Sequence, residues 1–263
     1  MPESADEVDD DQHRRKVTSP KRQLRDVLGV SEQSAVGTGA AYATPGRRVV
    51  PRGGARGARR RRRVRQHVIL FLAANPLGGG LLRLGEECAE IQRELRMSPN
   101  RGDFRFESRW AAGIDDVMRH LTELDPTVIH FSGHGGGSAG LMLQDENAHA
   151  QPVPDRALAM MVAAAACNAR VVVLNACYSA MQAEALRAGI DCVIGMDGAV
   201  GDEAARAFAI RFYGALASRR SVGNAFAQGV AALAAKRLCD EVLPRCVTRD
   251  GVDADRVVLR VRS

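Results

Sequence analysis

Val128-Ile129-His130-Phe131-Ser132-Gly133-His134-Gly135-Gly136-Gly137 and Val171-Val172-Val173-Leu174-Asn175-Ala176-Cys177 each carry an apolar run into a chemically active side chain. Neither run follows a strict polar alternation, so both read as strands buried on both faces, as in a parallel sheet. In an open α/β sheet, ligands and catalytic groups gather beyond the carboxyl ends of the strands. His134 and Cys177 stand at that end of their runs. On neighbouring strands they face one cleft as a base and a thiol, the pairing of nucleophilic cysteine catalysis. On these residues the chain reads as a cysteine peptidase.

The flanking sequence supports the same sheet. Residues 68–73 form another short apolar run, followed at 74–82 by a loop containing Asn75-Pro76 and Gly78-Gly79-Gly80. Leu84, Cys88, Ile91 and Leu95 recur on one helical face. Residues 104–110 alternate as a strand, and Ile114, Val117, Met118 and Leu121 mark a second helix with Asp115 and Asp116 in its first turn. Further strands are predicted at 127–132, 141–143, 170–175, 192–196 and 257–261, the last at a sheet edge. Further helices are predicted at 154–165, 180–187, 202–217 and 221–238. Strands alternating with helices imply an α/β domain: a mostly parallel sheet with helices on both faces.

Charge divides the 263 residues in two. Residues 1–66 hold 16 Lys+Arg against 8 Asp+Glu, whereas 67–263 hold 21 against 23. The first segment lacks sustained periodicity and places ten arginines between positions 45 and 65, five of them consecutive at 59–63. It is expected to be a disordered arginine-rich leader, with a short helix hinted at 23–30, ahead of a globular domain at 67–263. Three readings of the tract stay open. It is an idle leader, an arm that binds polyanions without reading sequence, or the product of a reading frame opened too far upstream.

The six cysteines form no C-x-x-C pair and no metal-ligand spacing with histidine, so neither metal nor cofactor is expected. Cys88, Cys167 and Cys192 read as small core hydrophobes. No apolar run approaches the ~18 residues of a membrane span, and the N-terminus lacks a signal peptide's apolar core. A cytoplasmic location without membrane attachment is the expectation. The glycine loop at 78–80 matches neither G-x-G-x-x-G nor a P-loop. One Trp and three Tyr give no aromatic platform for single-stranded nucleic acid.

The glycines after His134 let a peptide backbone approach closely. The N–H groups of Gly135 and Cys177 are candidate donors to a developing oxyanion. Ser132 and Asn175 precede His134 and Cys177 by two positions and so share their faces; backbone capping is their ordinary reading, site support or pocket lining the functional one. Asp197 and Asp202 follow the next strand, where a pocket wall belongs, although N-capping is the ordinary role for Asp202. A serine-hydrolase reading of Gly136-Gly137-Ser138-Ala139-Gly140 fails. Its HGGG and G-x-S-x-G motifs overlap, Ser138 leads into a strand, and only His149 follows within reach.

With these residues in view, the chain resembles the CHAT-domain proteins, bacterial caspase-like relatives of caspases and separases. The likeness is carried by Ile69-Leu70-Phe71-Leu72-Ala73-Ala74-Asn75-Pro76, His130-Phe131-Ser132-Gly133-His134-Gly135, Val173-Leu174-Asn175-Ala176-Cys177-Tyr178-Ser179 and Val193-Ile194-Gly195-Met196. Gly201-Asp202-Glu203-Ala204-Ala205 and Arg249-Asp250-Gly251-Val252-Asp253 extend it to residues 68–262. The resemblance implies a caspase-like fold, His134 as general base, Cys177 as nucleophile and a protein substrate, with no obligatory third member of the dyad. It also implies conditional activation, with a separate sensor or activator protein as partner, because no sensor module is recognisable here. A catalytically quiet interaction scaffold is the alternative.

Overall fold

The structure is a computed structural model that describes residues 66–238 and 244–261. Residues 1–65 of the expected leader, with its hinted helix, and Cys239 therefore lie outside the described residues. Eight strands are present among those described: β1 (His67–Ala74), β2 (Phe104–Arg109), β3 (Val128–Gly133), β4 (Leu141–Gln144), β5 (Ala150–Val153), β6 (Val171–Asn175), β7 (Cys192–Met196) and β8 (Pro244–Thr248). The helices are α1 (Leu84–Met97), α2 (Ile114–Leu124), α3 (Asp155–Ala165), α4 (Ala180–Leu186), α5 (Asp202–Ala217) and α6 (Val222–Ala235).

Six strands form one sheet in the order β2-β1-β3-β6-β7-β8, parallel except for the antiparallel edge strand β8. Successive side chains of β1 serve opposite faces, as strand geometry requires. Ile69, Phe71 and Ala73 pack with α1, α5 and α6, while Leu70, Leu72 and Ala74 pack with α2, α3 and α4. Two apolar layers thus sandwich the sheet, and β3 and β6 are buried along their whole lengths. Strands β4 and β5 make a separate antiparallel hairpin. Among the described residues no helix is long and apolar enough to cross a membrane.

Three expectations need correction. Residues 257–261 are not a strand. Val257 and Leu259 are buried against the helical layer, and the Val222 N–H donates to the Val257 carbonyl at 2.8 Å. Alternating burial there imitates a strand. The sheet edge is taken instead by β8, which opens on Pro244, a residue tolerated at a strand's first position. Strand β5 escaped the sequence reading because Pro152 interrupts its four residues. Cys167 is exposed rather than in the core, since α3 ends at Ala165 and the chain turns outward there.

Candidate active site

Strand register brings the two candidate residues together. Ala74 pairs with Gly133 across β1 and β3, and Ser132 pairs with Asn175 across β3 and β6. His134 directly follows the last residue of β3, and Cys177 lies two residues beyond the end of β6. Both line one pocket with Glu87, Ser132, Asn175, Val200, Asp202 and Arg206. Gly135 lies so near Cys177 that a Cβ there would meet the Cys177 carbonyl oxygen at 1.9 Å. A side chain at 135 would therefore separate the two loops.

Cys177 sits on a sharp elbow between β6 and α4. Tyr178, immediately after it, has φ +54, a left-handed conformation that costs a non-glycine residue on the order of 1–2 kcal/mol. Hydrogen bonds from Tyr178 and Ser179 hold the turn. The Tyr178 N–H donates to the Gly198 carbonyl at 2.9 Å, and the buried Ser179 hydroxyl donates to the Leu174 carbonyl at 2.8 Å. The same hydroxyl accepts from the Met196 N–H at 2.9 Å, tying the elbow to β7. Cys177 is half-buried, and its sulfur accepts from the Val200 N–H at 3.4 Å.

His134 is also half-buried, and its ring is engaged by the loop after β1. Nε2 lies 3.1 Å from Asn75 Oδ1 and 3.0 Å from the Gly80 carbonyl oxygen. Among the described residues no hydrogen bond joins His134 to Cys177. The arrangement is a cleft with imidazole and thiol on its wall and no hydrogen bond between them. Catalytic contacts of this kind commonly tighten only with substrate in place.

Beneath the pair runs a buried polar network. Glu87 projects from α1 into the sheet, where its Oε1 lies 3.0 Å from His130 Nε2 and accepts from Asn175 Nδ2 at 2.6 Å. Its Oε2 accepts from the Ser132 hydroxyl. His130 Nδ1 lies 3.1 Å from the Tyr213 hydroxyl, and Phe71 stacks on the imidazole with centroids 4.9 Å apart. Burial by itself raises the Glu87 carboxyl. The charge of His130 and the hydrogen bonds from His130, Ser132 and Asn175 outweigh it and hold the carboxyl below its ordinary value. Burial, and then the Glu87 charge, push the Tyr213 phenol well above its ordinary range. Asn175 Oδ1 is buried without a hydrogen-bond partner among the described residues.

Ser132 and Asn175 line the same pocket, and their side chains do not cap backbone groups in the ordinary way. Both bond the Glu87 carboxylate, and Asn175 Nδ2 also donates to the Ala205 carbonyl at 3.2 Å. Asp202 lines the pocket, yet it is not an N-cap: Gly201 holds that position, and Asp202 Oδ2 accepts from the Arg83 N–H at 3.1 Å. Asp197 is turned to Arg245 Nη2 at 2.5 Å, away from the pocket lining. The sequence reading missed Glu87 and Asn75. Glu87 carried a usable signal, because it falls beside Leu84, Cys88 and Ile91 on the buried stripe of α1, where an unpaired carboxylate is costly.

The CHAT domain family matches residues 32–243 of the chain. A Roc-COR-CHAT protease from an unknown prokaryotic organism is 24% identical over 176 residues, covering 64% of this chain and 17% of that protein. The chain therefore spans about a sixth of that relative's length. Among solved structures, a secreted C11 cysteine protease from Bacteroides thetaiotaomicron, in complex with an irreversible peptide inhibitor, superposes with TM-score 0.52 at 16% identity. That match covers 66% of this chain and 60% of the other. The Arg-specific cysteine proteinase gingipain R superposes with TM-score 0.50 at 14% identity, over 74% of this chain and 47% of the other. These likenesses make the fold caspase-like, and the match over most of its length places the chain in the CHAT domain family.

Proposed function

We propose that the chain is a caspase-like cysteine endopeptidase acting on a protein substrate through Cys177 and His134. The observation that carries this reading is the contact of Gly135 with the Cys177 backbone, which sets base and thiol on one pocket. His134 takes the thiol proton as Cys177 Sγ attacks the scissile carbonyl. The Gly135 and Cys177 N–H groups donate to the oxyanion; among the described residues neither is engaged in a hydrogen bond. As the intermediate collapses, the carbon–nitrogen bond breaks and His134 gives its proton to the leaving amine. Water, deprotonated by His134, then hydrolyses the thioester and restores the thiol.

The lack of a His134–Cys177 hydrogen bond fits conditional activity, with an activator protein or the substrate itself drawing the two together. It equally suits a quiet scaffold that uses the fold for interaction. A peptide carrying a thiol-directed warhead, followed by mass mapping, separates the two. Labelling at Cys177 that is lost in His134→Ala supports the peptidase. Labelling spread over other cysteines, unchanged by His134→Ala, supports the scaffold.

A further inference from the structure

The loop over His134 specifies which ring nitrogen is the base. Nε2 faces two acceptors at once, Asn75 Oδ1 at 3.1 Å and the Gly80 carbonyl oxygen at 3.0 Å. A peptide carbonyl can only accept, so the hydrogen belongs on Nε2. In the neutral ring the lone pair then resides on Nδ1, for which no hydrogen bond exists among the described residues.

The approach is built into the chain rather than incidental. Ala74 pairs with Gly133, so Asn75 and His134 are the next residues beyond the end of the β1–β3 ladder. Asn75 is fixed in turn by its own N–H, which donates to Gln144 Oε1 at 3.2 Å. The loop is also tied down by the Leu77 N–H on the Ala148 carbonyl at 2.8 Å. At Gly79 a Cβ would come within 2.7 Å of His134 Nε2, so a side chain there would push the ring out of its place.

We infer that Asn75 is a positioning residue: with the Gly80 carbonyl it holds His134 as the Nε2–H tautomer and leaves Nδ1 to take the Cys177 proton. The inference rests on His134 being the base. Second partners of this kind fix both the tautomer and the ring orientation of a working histidine. Asn75 acts without touching substrate. Its removal leaves the Gly80 carbonyl as sole partner and frees the ring to turn.

Two measurements on the full-length chain test this. Long-range proton–nitrogen NMR reads the His134 tautomer, with His134→Ala assigning the signal among the six histidines. Alkylation of Cys177 by a peptide carrying a thiol-directed warhead, followed by mass mapping across pH, reads the thiol with a peptide in the cleft. The wild type should show the Nε2–H form. Asn75→Ala should show mixed tautomers and a Cys177 alkylation rate reduced between about 10- and 100-fold, as expected for a misplaced catalytic group. Asn75→Asp, which keeps an acceptor at the same place, should retain the Nε2–H form. An Nδ1–H tautomer in the wild type overturns the proposal even if the variants fail to fold. Wild-type alkylation in Asn75→Ala, with slow alkylation in His134→Ala, overturns the proposal alone. Wild-type alkylation in His134→Ala overturns the base and the proposal together.

Discussion

Gly135 and the Cys177 carbonyl are in such close contact that a methyl group at 135 would stand 1.9 Å from the oxygen. The loops that carry His134 and Cys177 are thereby locked against each other, and the lock requires the absence of a side chain. Gly135→Ala should force the loops apart, costing about 1–3 kcal/mol as an overpacking substitution. In a domain of this size that is a fall in Tm of roughly 2–12 °C. Labelling of Cys177 by a peptide warhead should fall well beyond what the fraction unfolded explains. Calorimetry and warhead kinetics on the same sample check both.

Glu87 holds β3 and β6 together below His134 and Cys177. Glu87→Ala leaves His130, Ser132 and Asn175 without their buried partner, and a cost of about 3–5 kcal/mol is expected for breaking such a pair. Because the folded carboxyl titrates below its ordinary value, its stabilisation is present above the reference value of 4.5 and is lost as pH falls through the lower folded value. Urea unfolding of the wild type and Glu87→Gln across pH should therefore give a constant difference near neutrality. That difference should shrink only under acid conditions, below pH 4.5. A difference that grows as the pH falls runs against this linkage.

Most of the architecture was legible in the sequence because the strand runs are apolar on both faces and the helices carry clean stripes. Strand 192–196 and helix 202–217 were read with the bounds that the structure shows. What escaped was set by tertiary placement. The alternation of Val257 and Leu259 is satisfied by helices rather than by a neighbouring strand. For the candidate site, position nominated His134 and Cys177, since strand ends are where such residues collect. The partners of His134 Nε2 and the carboxylate under Ser132 and Asn175 come from segments 45–88 residues distant, and no local pattern announces them.

The cysteines should differ sharply in reactivity. Burial pushes the Cys88 thiol up, and the hydrogen bond with Cys246, together with burial, pushes Cys192 up. Both should resist alkylation in the native state and react on unfolding. Cys167 is exposed and should take a small reagent such as iodoacetamide. A peptide warhead should choose Cys177 over Cys167, because Cys177 lines the pocket and Cys167 does not. Mass mapping after each reagent provides the ranking, and preferential warhead labelling of Cys167 contradicts it.

The arginine tract gives an independent prediction. If residues 1–66 act as a polyanion-binding arm, the full chain should bind duplex DNA without sequence preference. Its log affinity should fall with log salt at about −0.9 per phosphate neutralised. Removing 1–66 should abolish that binding, since 67–263 carry 21 Lys+Arg against 23 Asp+Glu. The truncated chain should still label at Cys177. Salt-insensitive binding contradicts the electrostatic arm, and no binding at low salt favours the idle leader.

The central claim is that Cys177 cuts protein with His134 as its base. Proteome-wide terminal labelling tests it most directly, in the cells that naturally make the chain and under conditions that elicit its activity. Wild type, Cys177→Ala and His134→Ala are compared at equal abundance. A small set of new protein termini is expected with the wild type and should be absent from both variants. The same termini in wild type and Cys177→Ala would contradict the claim.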